Sequence, residues 1–134
     1  MRKTACLLIV FFLAVCIAAP DRLAANPAGS LVGIWRSQVP TPYGLALGEL
    51  ILKPDGSFSK TFRAGELLTW DVGRYTVGQG YIHFTIEDHE PKLYQGKPMH
   101  WLTSETIFFQ FVNPDSLICE DRILGTRWLA FRVR

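Results

Sequence analysis

From residue 31 to the C-terminal arginine, apolar and polar positions alternate in short runs broken by turn residues, with no sustained helical period. Residues 81–87 show the pattern most cleanly. Ile82, Phe84 and Ile86 share one face, and Tyr81, His83, Thr85 and Glu87 the other. Residues 57–63 set Phe58, Lys60 and Phe62 against Ser57, Ser59 and Thr61, and residues 105–111 align Ile107, Phe109 and Phe111. Further strands are expected at residues 31–37, 45–53, 69–77, 116–120 and 126–133. Between them stand Pro54-Asp55-Gly56, Ala64-Gly65-Glu66, Gly78-Gln79-Gly80 and Asn113-Pro114-Asp115. Proline presets φ, Asp and Asn bond their own backbone, and glycine accepts positive φ, so each cluster reads as a tight turn. About eight strands in neighbour-to-neighbour order predict an all-β fold: a small antiparallel up-and-down meander that closes or nearly closes into a barrel.

One connection breaks the rhythm. Residues 88–104 include Pro91, Gly96 and Pro98 and are far longer than a hairpin loop of about 2–5 residues. A segment of that length is expected to carry function or to pack over an open barrel end. It holds His89, Glu90, Tyr94, Lys97, Met99, His100 and Trp101.

The N-terminus reads as an export signal rather than as part of the fold. Arg2 and Lys3 precede an apolar run at residues 5–19, shorter than the ~20 residues a membrane span needs. Cleavage is expected after Ala25, in Leu23-Ala24-Ala25, with a site after Ala18 as the alternative. That makes residues 1–25 a signal peptide, residues 26–30 a linker and residues 31–134 one barrel domain, periplasmic or secreted. Leu13-Ala14-Val15-Cys16 allows a different reading, lipidation at Cys16 and a membrane anchor, although Val15 is large for that position.

Removing the signal changes the charge. The whole chain has 14 basic and 12 acidic residues; taking away Arg2, Lys3, Arg22 and Asp21 leaves eleven of each. A neutral domain offers no electrostatic footprint for nucleic acid. Cys6 and Cys16 leave as well, so Cys119 is the only cysteine of the expected mature domain, which must fold on its core as a monomer without a disulfide. Cys119 sits in an apolar strand and reads as a buried, unreactive thiol.

Gly33-Ile34-Trp35, Leu52-Lys53-Pro54-Asp55-Gly56-Ser57-Phe58, Gly73-Arg74-Tyr75-Thr76-Val77-Gly78 and a last strand with Trp128 and Arg132 together resemble the lipocalin-like part of the calycin superfamily, especially its short bacterial secreted members. The resemblance spans about residues 31–134. It implies structural roles for Gly33, Trp35 and an arginine of the last strand stacked on Trp35: Arg132, or else Arg127 or Arg134. Guanidinium–π attraction supplies the physical basis.

Candidate binding residues follow from the inward faces and the long segment. Phe58, Phe62, Phe84 and Phe109 would line an apolar interior, or simply fill it as side chains do in small barrels. Lys60, between two phenylalanines, would hold a ligand carboxylate at the barrel mouth, or else snorkel to water. Tyr94, His100 and Trp101 are the candidates on the long segment. His83, His89 and His100 with Asp88 and Glu90 match no zinc spacing, so no metal is expected, and no motif implies a cofactor. Gly73, Gly78 and Gly80 read as hairpin glycines, not a phosphate loop. No nucleophile–base–orienter set is visible, so an enzyme is not expected. The expected function is binding of a small apolar or amphipathic ligand. The alternative is a protein-interaction module, an envelope accessory or inhibitor, with a filled core.

Overall fold

The computed structural model describes residues 31–42 and 44–134; the expected signal peptide and linker, and Cys16 of the alternative lipidation reading, lie outside the described residues. Ten strands follow in order: β1 (Gly33–Thr41), β2 (Gly44–Leu52), β3 (Ser57–Ala64), β4 (Leu67–Gly78), β5 (Tyr81–Glu90), β6 (Leu93–Tyr94), β7 (Lys97–Pro98), β8 (Ser104–Asn113), β9 (Ser116–Asp121) and β10 (Thr126–Val133). Eight of them close an antiparallel barrel in the order β1-β10-β9-β8-β5-β4-β3-β2. Each strand pairs with its neighbours along the chain, and β10 returns to β1. The meander thereby has no free outer edge except where individual pairings stop.

The eight strands fall where alternation places them, but two segments differ. β1 runs four residues beyond the expected end, through Pro40. Its pairing with β10 covers only Ile34↔Val133 to Ser37↔Ala130, whereas its pairing with β2 continues to Thr41↔Gly44. Pro40 therefore lies on a stretch with a described strand neighbour on one side only, the setting in which a strand tolerates proline. The long segment is also partly ordered as sheet. β5 continues to Glu90, and the remainder folds back as the two-residue strands β6 and β7 around Gln95 and Gly96, both at positive φ.

A bulge accompanies the continuation of β5. Gly73 pairs with Ile86 but Val72 pairs with Asp88, so Glu87 has no partner across the ladder. The extra residue shifts parity and places His89, not Asp88, opposite Asp71. Gly73 is thus a mid-strand residue rather than a hairpin glycine. A Cβ there would lie 1.9 Å from the Thr85 carbonyl oxygen, a contact only glycine avoids.

The interior has a packed end and an open end. At the packed end Trp35 is 2% exposed among Leu31, Leu52, Phe58 and Tyr75. The Trp35 Nε1–H donates to the Leu31 carbonyl at 2.8 Å, and the Tyr75 hydroxyl donates to the Lys53 carbonyl at 2.7 Å. The Arg132 guanidinium lies 4.3 Å from the Trp35 ring centre and donates to the Val32 carbonyl at 2.7 Å. Gly33 adopts φ 137° beneath it, and a Cβ there would stand 3.0 Å from the guanidinium. Phe58 and Phe84 meet edge to face at 4.8 Å, and Phe109 and Phe111 at 5.8 Å.

Candidate functional site

At the other end, where the β1–β2, β3–β4 and β9–β10 turns gather, the core stops short and leaves a cavity of about 380 Å³. Its apolar wall comes from Val39, Ala46, Ala64, Leu67 and Leu124, and Phe62 and Trp128 add aromatic rings. Small residues make the space: Ala46 and Ala64 stand on the inward rows of β2 and β3 where larger side chains would fill the mouth. Below lies a narrower void of about 70 Å³ among Trp35, Ile82, Phe84, Leu117, Cys119 and Lys60. Phe62, Glu105 and Trp128 line both spaces and mark where they meet.

The polar groups of this interior come from five strands. Lys60 on β3 forms ion pairs with Glu105 of β8, which is also its hydrogen-bond partner, and with Asp71 of β4, whose Oδ2 lies 3.4 Å from Nζ. Phe84 and Phe62 flank the ammonium, with ring centres 5.5 and 5.6 Å away. Asp71 is 1% exposed, and neither carboxylate oxygen makes a hydrogen bond. Burial pushes its carboxyl above the usual range, and the Lys60 charge opposes that shift. Asp121 of β9 is buried at the mouth, where Oδ1 accepts from the backbone N–H groups of Ile123 and Leu124 at 2.8 and 3.0 Å. Thr69 and Thr126 contribute hydroxyls to the same wall.

The expected binding residues divide into two groups. Phe58, Lys60, Phe62 and Phe84 all point inward, but Phe58 is packed deep in the core and lines neither space, whereas Lys60, Phe62 and Phe84 line one or both. Phe109 is half-buried beside Phe111 and lines neither. Tyr94 and His100 are exposed, and Trp101 stacks on His89 at 4.8 Å with the rings 5° apart. The long segment therefore leaves from the open end without lining the cavity. It does reach the charged cluster indirectly, since His89 is the cross-strand neighbour of Asp71.

Lys60 also differs from its expected role. Two carboxylates of the protein already occupy its surroundings, which leaves no unneutralised cation to attract a ligand carboxylate. Three residues of this site carried no weight in the sequence reading: Asp71, Glu105 and Asp121. Parity held a signal for two of them. Glu105 stands two residues before Ile107 on the apolar row, and Asp71 two before Gly73 and four before Tyr75. Asp121 falls just past the strand expected at residues 116–120, in the connection to the last strand.

A second feature lies outside the wall. Where β1 and β10 cease to pair, a groove of about 1200 Å³ runs over Leu47, Leu68, Leu129 and Phe131, each about half exposed, beside Arg36, Arg63 and Arg127. Ser37, Gly48, Glu49 and Trp128 line both this groove and the inner void. No protein-family model matches this sequence, and the search of curated proteins found no match.

Proposed function

We propose that this chain is an exported binding protein that holds a small amphipathic molecule in the cavity at the open end of its barrel. One observation carries the reading: the apolar core fills the closed end and stops, leaving about 380 Å³ walled by apolar and aromatic side chains with a few convergent polar groups. That size and composition suit a small-molecule pocket. The leader at residues 1–25 supports export to the periplasm or beyond, and the short motifs around Trp35 and Arg132 support a lipocalin-like ancestry. Catalysis is not part of the proposal. Cys119 is the thiol that lines the inner void, and burial pushes it up to about 12, so it is not a thiolate at neutral pH.

The test is native mass spectrometry of the protein isolated from its own host, beside an Ala64→Phe variant that fills the mouth. A small molecule retained by the parent and lost from the variant supports the reading. A variant that retains it places the molecule elsewhere, and a parent that carries none and binds no apolar fluorescent probe refutes the pocket. The second reading, a protein-interaction module, draws on the outer groove. Leu129→Glu would then abolish partner capture while leaving probe binding unchanged.

A further inference from the structure

The charge at the cavity is one-sided. Glu105 and Asp121 are two carboxylates among the side chains that line the mouth, and no lysine, arginine or histidine is among them. Just behind them, Asp71 is 1% exposed with both oxygens lacking a hydrogen bond. A single ammonium, Lys60, is shared between Glu105 and Asp71, and Asp121 is held by the backbone N–H groups of Ile123 and Leu124 with no cationic partner among the side chains lining the mouth. Buried carboxylates are stable only when paired or hydrogen-bonded. The interior thus carries formal negative charge that this cluster does not neutralise.

The remaining wall suits the opposite charge. The Thr69 and Thr126 hydroxyls can accept hydrogen bonds, as can the carboxylates. Phe62 and Trp128 offer aromatic faces, whose quadrupole attracts cations. Val39, Ala46, Ala64, Leu67 and Leu124 leave an apolar path for a tail. A fatty acid would bring a second anion to an acidic mouth. A neutral alcohol would leave the surplus unanswered.

Resting on the cavity reading above, we propose that the ligand is an amphipathic primary amine, with its ammonium between Glu105 and Asp121 and its tail along the apolar wall toward Leu67 and Leu124. The ammonium supplies three donors to acceptors that face it from β4, β8, β9 and β10. Its charge balances the cluster that Lys60 balances only in part.

The test compares decylamine, decanol and decanoate by calorimetric titration at low and high salt. These probes share a tail and differ in the head. Decylamine is expected to bind the parent about tenfold more tightly than decanol, with an advantage that shrinks as salt rises, and decanoate more weakly than either. A Glu105→Gln/Asp121→Asn variant should lose the amine's advantage and keep the affinity for decanol. The head-group series on the parent decides the matter even if that variant does not fold. Equal affinity for decylamine and decanol overturns the charge inference and leaves the cavity reading intact. If no probe binds the parent, or Ala64→Phe binds all of them unchanged, the cavity reading falls and this one with it.

Discussion

Replacing Lys60 with methionine removes the ammonium from the interior cluster and little else. Methionine keeps a long unbranched stem beside Phe62 and Phe84, so the packing loss is small. The electrostatic loss is large. The side chains of Lys60, Asp71 and Glu105 are 12%, 1% and 18% exposed, so solvent screens the cluster weakly. Removing one partner of a buried ion pair costs about 3–5 kcal/mol, because the charge left behind is uncompensated. Here two carboxylates are left behind, facing each other, so Lys60→Met belongs at the upper end of that range. A domain of this size has a total stability of about 5–15 kcal/mol. Asp71→Asn is the control: it retains the Lys60–Glu105 pair and removes the carboxylate that makes no hydrogen bond, so it should cost less than about 1 kcal/mol. The two variants also differ in pH dependence. Burial raises the Asp71 carboxyl, so the folded state holds that proton more tightly than the unfolded chain does. Such a group favours folding below its unfolded value, and that advantage is lost as pH rises through the folded value. Without Lys60 to oppose the shift, Lys60→Met should regain stability between neutral pH and about pH 5 more than the parent does. Urea unfolding followed by tryptophan fluorescence at both pH values measures the change. A Lys60→Met variant within about 0.5 kcal/mol of the parent at neutral pH would refute the reasoning, as would an Asp71→Asn variant that is equally costly.

Trp35→Ala should destabilise the barrel by about 3–5 kcal/mol, since it empties a large buried site and frees the Arg132 guanidinium from its ring; an unchanged urea midpoint would contradict this. Cys119 should resist a thiol reagent at neutral pH until urea unfolds the chain, because burial holds the thiol protonated up to about 12; rapid labelling of the folded protein would show the site to be open. Replacing residues 93–98 with Asn-Gly should leave both stability and probe binding unchanged. The Met99 N–H already donates to the Lys92 carbonyl at 3.0 Å, the bond that spans a two-residue turn, and none of the residues removed lines the cavity. Loss of binding on that replacement would move the site to the long segment.

Period-two alternation and turn chemistry were enough to place the eight barrel strands, and in residues 57–63, 81–87 and 105–111 alternation also grouped the side chains that share a face, because burial on one side of a strand demands that pattern. It also put Lys60 inside with Phe58 and Phe62, and proline–glycine chemistry marked the turns between. Three things lay beyond it. The β5 bulge at Glu87 inserts one residue and reverses parity, so it is invisible to a rule that counts by twos, and it is what brings His89 opposite Asp71. The early end of β1–β10 pairing at Ser37↔Ala130 depends on strands about a hundred residues apart. Lys60 and Asp71 face each other on the adjacent strands β3 and β4, but the meeting of Lys60 with Glu105 depends on closure, because β3 and β8 come together only across the interior. Local sequence specifies which way a side chain points; which charges it meets, and whether the space between them is filled, is set by how the strands close around it.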